Sequence, residues 1–302
     1  MADASQQPWT TTRLLDWMHQ SFRSRELESP RLLAEMLVAH VLGCERIQLY
    51  TQAERPASPA ELGELRGLVR RAMAHEPVQY LVGNAWFYGI ELAVDPRVLI
   101  PRPETETLVD LALQTARDAE RPADQPWLVA DVCTGSGCVG IAIAKSLRTA
   151  TVLATDISTD ALEVATANAE TIGVADRFVP IEGNLADPLL DHPLLSEHGG
   201  VDLLAANPPY IPDDEWAGVE PNVKDHEPSL ALRGGVDGVD LVAPLIGSLP
   251  SVLQAGGSAF IEIAASRAEL VLEIAQRIDG LSEQRIVKDA MDRPRVLACT
   301  RA

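Results

Sequence analysis

Apolar residues recur at helical spacing through the first quarter of the chain. Leu14, Leu15, Trp17 and Met18 begin the pattern, Leu32, Leu33, Met36, Leu37, His40 and Val41 repeat it, and Leu62, Leu65, Leu68, Val69 and Met73 repeat it again. Ser29-Pro30 and Ser58-Pro59 read as N-caps followed by proline at the first helical position. Glu61 strengthens the second of these, and Gly43 reads as a stop. A small helical bundle over residues 11–75 is the expectation. The pattern changes at Glu76-Pro77. Residues 85–94, with Trp86, Phe87, Tyr88 and Ile90, alternate as a β-hairpin turning at Tyr88-Gly89. The prolines of Leu99-Ile100-Pro101-Arg102-Pro103-Glu104-Thr105-Glu106 argue against helix there, and Thr105 reads as the cap of a helix over 108–116.

From Trp127 onward, short apolar runs alternate with helical stretches. Strands are expected at 128–132, 152–155, 178–181, 201–205, 258–263, 285–287 and 296–299, and helices at 140–146, 159–172, 240–253 and 267–278. This alternation predicts a doubly wound α/β sheet of seven strands, parallel and ending in an antiparallel strand. The chain divides into a helical domain (1–84), a hairpin and Pro-rich linker (85–106) and an α/β domain (107–302).

Composition narrows the picture. The 302 residues suit two domains, and aromatic residues at 4% leave the cores to aliphatic packing. A net charge of −19 argues against nucleic acid as a direct partner, because such binding rests on phosphate neutralisation by Lys and Arg. Arg66, Arg70 and Arg71 read as a solvated helix face. Cys44, Cys133, Cys138 and Cys299 are scattered, which suggests neither disulfides nor zinc. The polar start, residues 1–10, reads as no signal segment, and no apolar run is long enough to span a bilayer, so a cytoplasmic protein without membrane contact is expected. His40 reads as a core or boundary residue of an apolar helix, and His226 as a loop residue near the crevice. Asp213, Asp214 and Glu215 read as solvated carboxylates rather than metal ligands.

Two motifs carry chemistry. Asp131-Val132-Cys133-Thr134-Gly135-Ser136-Gly137 follows the first strand of the α/β domain, with Gly140 completing G-x-G-x-x-G and Asp156 ending the next strand at the spacing used for a ribose diol. By itself this loop is compatible with a nicotinamide oxidoreductase, a methyltransferase, a non-catalytic module that binds adenosylmethionine, or a tight turn. Asp131 tilts the choice, because a carboxylate there suits the ammonium of a methionine moiety better than a pyrophosphate. Asn207-Pro208-Pro209-Tyr210 ends the fourth strand, which should bring it to the same crevice. The Asn207 side-chain oxygen and the Pro208 carbonyl can accept the two N–H bonds of a planar amide or amine, and Tyr210 can lay its ring against that group. Adenine N6 and a protein amide both fit this description.

The whole chain resembles the HemK-type release factor glutamine methyltransferases. The resemblance rests on Glu76-Pro77-Val78-Gln79-Tyr80-Leu81-Val82-Gly83, the segment from Leu99 to Glu106, the glycine loop, Asn207 to Tyr210, Glu227-Pro228, and Leu232-Arg233-Gly234-Gly235-Val236-Asp237-Gly238. It implies a Rossmann-like, seven-stranded class I methyltransferase domain behind the helical one. It also implies S-adenosylmethionine as methyl donor and, as substrate, the Gly-Gly-Gln glutamine of peptide chain release factors, methylated at N5. Cys133, Thr134, Gly135, Ser136, Gly137, Asp156, Leu185 and Asn207 would surround the cofactor, with Asn184 beside the adenine. Asn207, Pro208, Pro209 and Tyr210 would hold the glutamine, and the N-terminal helices would help dock the release factor to a monomeric enzyme. The chain departs from the family pattern at Cys133 and Ala264, where glycine is usual, and at Asn184 and Leu185, where an acidic and an aromatic residue are common. A glutamine methyltransferase of a ribosomal protein and an adenine-N6 methyltransferase are the alternatives.

Overall fold

The computed structural model describes residues 8–122 and 124–302. Most of the polar N-terminal stretch discussed above lies outside them. Among the described residues two compact units emerge: 8–83 with 220–226, and 84–219 with 227–302.

The first unit is helical. It contains α1 (Thr11–Arg23), α2 (Pro30–Leu42), α3 (Arg46–Thr51), α4 (Pro59–Ala72) and α5 (Val78–Val82). Leu14, Leu15, Met18 and Phe22 of α1 meet Leu37 and Val38 of α2 and Leu65 and Val69 of α4 in one aliphatic core. Ser58 and Glu61 form the expected capping box, but Ser29 does not cap α2. Its φ of 47° is left-handed and its side chain makes no cap bond, so Pro30 alone starts that helix. Two short helices, α3 and α5, escape a period-based reading because neither completes two full turns.

The second unit begins with β1 (Asn84–Phe87) and β2 (Ile90–Ala93), joined by Tyr88 and Gly89 at φ 48° and 70°. Both central residues have positive φ, as a type I′ hairpin turn requires. A 3₁₀ turn at Pro103–Thr105 leads into α6 (Glu106–Asp118). The proline at the first position of that turn needs no donor, so the segment is helical after all in its last four residues, Pro103 to Glu106. Then follow β3 (Trp127–Val132), α7 (Cys138–Ser146), β4 (Ala150–Asp156), α8 (Thr159–Ile172), β5 (Phe178–Glu182), α9 (Asp187–Leu190), α10 (Pro193–His198) and β6 (Val201–Ala206). After the short α11 (Pro221–Lys224) of the first unit come α12 (Val242–Val252), β7 (Leu253–Glu262), α13 (Ala268–Gln276), β8 (Leu281–Lys288) and β9 (Pro294–Arg301).

The sheet order is β5-β4-β3-β6-β7-β9-β8, and only the pairings of β9 are antiparallel. The expected antiparallel strand therefore exists, but it is inserted between β7 and β8 rather than placed at the edge. Strands β3 and β6 are buried at every residue, and a core lies on each face of the sheet. The chain reverses its winding between β3 and β6, which pair Val132 with Ala206. The residues that follow each strand, Cys133 and Asn207, therefore open on one crevice. No described helix is long and apolar enough to cross a membrane.

Candidate active site

The crevice at the ends of β3, β4 and β6 is a pocket lined by Asp131, Cys133, Thr134, Gly135, Ser136, Asp156, Asn184, Leu185, Asn207 and Pro209, together with Thr105, expected only as a helix cap, and residues given no role from the sequence, notably Val98, Ile157 and Leu241. Gly137, Pro208 and Tyr210, also expected at the site, are not among its lining residues.

Two carboxylates organise the glycine loop. Asp131 Oδ2 accepts from Thr134 Oγ1 at 2.6 Å and from the Gly140 amide at 2.9 Å. Asp156 Oδ2 accepts from the Gly135 amide at 2.9 Å, and its Oδ1 from the Ser158 amide at 3.0 Å. Burial pushes Asp131 up to about 6 despite those hydrogen bonds, and burial raises Asp156 as well. Gly140 is required by close approach: a Cβ there would stand 2.8 Å from Asp131 Oδ2 and 2.9 Å from Val152. Cys133 adopts a φ of 59°, the left-handed conformation that glycine tolerates best, which gives the family's usual glycine at this position a physical reason. Burial raises the Cys133 thiol too, so it is not a thiolate nucleophile. On the other wall, Thr155 Oγ1 donates to the Leu185 carbonyl at 2.7 Å and fixes a turn in which Leu185 itself has φ 49°. Asn184 beside it is exposed.

The arginines of the lining are already paired. Arg97 binds Asp95 at 2.7 Å and Glu163 at 3.1 Å, and Arg102 binds the buried Glu227. The pocket therefore offers two carboxylates with no free cation against them, a donor set that fits a cationic ligand bearing a diol and opposes a pyrophosphate. The Arg102–Glu227 pair also explains why two motifs far apart in sequence belong together: Glu227 holds the Pro-rich segment at both the Arg102 side chain and the Ile100 amide, the latter at 3.1 Å.

At the tetrapeptide, Asn207 Nδ2 donates to Thr105 Oγ1 at 3.3 Å, and the Tyr210 hydroxyl donates to Glu262 Oε1 at 2.8 Å. Among the described residues, no hydrogen bond is made to the Pro208 carbonyl. The segment after Tyr210 is clamped by the glycine-rich motif: the Ile211 amide donates to the Leu232 carbonyl and the Gly234 amide to the Ile211 carbonyl, both at 2.9 Å. A Cβ on Gly234 would lie 2.7 Å from Tyr210 Cα. Thr105, expected as a helix cap, makes no cap bond; it is buried and serves the site instead. Glu262 was not anticipated. Its only sequence signal is a charge at the end of an apolar strand. The acidic run Asp213, Asp214 and Glu215 is paired with Arg233 and Arg267, as a surface cluster would be.

Residues 13–83 match the family described as PrmC N-terminal domain, and residues 107–207 match the family described as Ribosomal protein L11 methyltransferase (PrmA). The chain is 38% identical to the release factor glutamine methyltransferase of Rhodopirellula baltica, with 100% of each chain covered. It is 39% identical to that of Chlorobaculum tepidum, covering 96% of this chain and 97% of the relative. Among solved structures, the N-terminal domain of human METTL16 in complex with SAH aligns with a TM-score of 0.50 at 17% identity, over 71% of this chain and 76% of that one, a likeness of fold.

Proposed function

From the premise that this chain belongs to the release factor glutamine methyltransferases, we propose that its α/β domain transfers a methyl group from S-adenosylmethionine to N5 of the glutamine in the Gly-Gly-Gln motif of a peptide chain release factor. The single observation that carries the reading is that Asn207, just past β6, lines the same anionic pocket as Asp131 and Gly135 at the end of the adjacent strand β3. Bound there, S-adenosylmethionine supplies an electrophilic methyl on a sulfonium. Asp131 faces its ammonium and Asp156 its ribose diol, while Leu185 packs near the base and Asn184 lies at the rim. The loop from Cys133 to Gly137 brings backbone close to the ligand.

A glutamine amide nitrogen is a weak nucleophile because its lone pair is delocalised into the carbonyl. Asn207 Oδ1 and the open Pro208 carbonyl accept its two N–H bonds and aim the nitrogen at the methyl. Pro208 and Pro209 hold these acceptors by fixing φ, and the Tyr210 ring bounds the amide plane. No strong base is required beforehand, since the alkylated nitrogen becomes acidic and loses its proton afterwards. The chain then acts by positioning and by matching charge.

The test is incubation with labelled S-adenosylmethionine and, separately, release factor, ribosomal protein and DNA. Label is expected on the release factor glutamine. Label confined to ribosomal protein or DNA would refute the reading. Asn207→Ala is expected to lower turnover by at least about a hundredfold while S-adenosylmethionine still binds. Turnover near wild type in that variant would refute the two-acceptor geometry.

A further inference from the structure

A carboxamide has a donor end and an acceptor end of nearly equal size, and only hydrogen bonding decides which way round it sits. The reading above needs Asn207 to present its oxygen to the substrate amide; the reversed orientation would set NH2 against NH2. The observed contact, Asn207 Nδ2 to Thr105 Oγ1 at 3.3 Å, has the required sense. A threonine hydroxyl, however, accepts or donates with equal ease, so Thr105 alone would hold either orientation. Something must commit its proton.

The group placed to do so is Glu262. The register of β6 against β7 pairs Ala206 with Ile261, which puts Glu262 alongside Asn207 at the strand ends. Glu262 is fully buried, and its Oε1 takes the Tyr210 hydroxyl proton at 2.8 Å. Its Oε2 is buried with no hydrogen-bond partner among the described residues, and after burial the Thr105 hydroxyl is the largest influence on this carboxyl, lowering it. An ionised carboxylate only accepts, so a hydroxyl facing it turns its proton inward and leaves a lone pair for Asn207. Burial pushes the Glu262 carboxyl above its ordinary range, and Thr105, Tyr210 and the buried Arg295 oppose that rise, while Glu104 adds to it. Arg295 is itself held by Asp289 at 3.3 Å.

We propose that Glu262, acting through Thr105, is the positioning residue that fixes the polarity of the Asn207 amide, and that the same carboxylate anchors Tyr210. The relay rests on the methyl-transfer reading and adds residues to it. The partnerless Oε2 accepts from the Thr105 hydroxyl when substrate loads Asn207, as hydrogen bonds of free active sites commonly tighten on binding. Glu262 is not among the residues that line the pocket, whereas Thr105 lines it and meets Asn207 there.

The full chain carrying Thr105→Val, Thr105→Ser, Glu262→Gln or Thr105→Val with Glu262→Gln is assayed with labelled S-adenosylmethionine and release factor. Thr105→Val and Glu262→Gln are expected to lower kcat about tenfold or more. KM for the release factor and Kd for S-adenosylmethionine stay within about twofold. Thr105→Ser, which restores the hydroxyl, stays within about threefold of wild type. The double variant is no slower than the slower single variant, because one relay is broken twice. Thr105→Val with wild-type kcat, or losses that multiply in the double variant, would overturn the relay. Should Glu262→Gln fail to fold, the Thr105→Val and Thr105→Ser pair decides alone. Absence of transfer by the wild-type chain would instead strike the function itself, so the two failures are distinguishable.

Discussion

At the scale of single residues, Asp131 serves two purposes that pull in opposite directions. Its carboxylate ties the glycine loop through Thr134 and Gly140, but burial in the pocket lifts it from 3.8 to about 6. Between those values the folded chain without ligand holds a proton that the unfolded chain has released. This group therefore makes stability fall as pH rises through that window and leaves it level above about 6. An ammonium placed beside Asp131, as proposed, favours the ionised form, so loading S-adenosylmethionine is expected to expel the proton. Affinity for S-adenosylmethionine is expected to rise about tenfold for each pH unit below about 6 and to level off near neutrality. Calorimetric titration at several pH values checks this, and Asp131→Asn should flatten the profile. A wild-type affinity that ignores pH between 5 and 7 would remove Asp131 from the ligand's ammonium. Cys133 illustrates a different cost. It occupies a left-handed φ at a position the family usually gives to glycine, so the loop carries strain that the surrounding hydrogen bonds must sustain.

At the scale of elements, α8 joins the parts. Its Asn168 is buried and donates from Nδ2 to the Ala93 carbonyl at 3.0 Å and to the Ser136 carbonyl at 2.9 Å, while its Oδ1 accepts from the Ala93 amide at 2.8 Å. One side chain thus ties the end of β2 to the glycine loop. Asn168→Ala leaves these backbone groups without partners and is expected to cost about 2–3 kcal/mol of stability in denaturant unfolding, together with weaker S-adenosylmethionine binding. A loss under about 0.5 kcal/mol would show that water replaces the amide freely. Helix α8 was also the most legible element. Ser158 caps it and Gly173 ends it at φ 81°, so pattern and punctuation agree at both ends. The central strands β3 and β6 were legible for a similar reason, since buried parallel strands read as short apolar runs. Strand order was not, because nothing in the run of β9 tells it to slip between β7 and β8. The glycine loop and the tetrapeptide announced themselves through Gly and Pro, residues whose backbone restrictions are visible in one dimension. Thr105 and Glu262 did not, because their meaning depends on a register between strands and on a 3₁₀ turn that places a hydroxyl inside the site.

At the scale of the whole molecule, charge and cohesion are divided between the two units. Residues 1–83 hold nine arginines against ten acidic side chains, so nearly all of the net −19 belongs to the remainder of the chain. That remainder contains the pocket for a cationic ligand. The cores are divided in the same way. The helical core is built from Leu14 to Leu81, and both sheet cores from Phe87 onward, with no residue in common. Two compact units, each with its own core, are expected to unfold in two calorimetric transitions rather than one. Every residue of the pocket lies in the second unit, so S-adenosylmethionine should raise only the transition of that unit. At a hundred times its Kd, the ligand adds about 2.7 kcal/mol to the unit that binds it. Differential scanning calorimetry with and without ligand reads both numbers. A single transition that moves as one would mean that the units unfold as a single cooperative block, and a ligand that shifts the helical transition alone would place the pocket elsewhere.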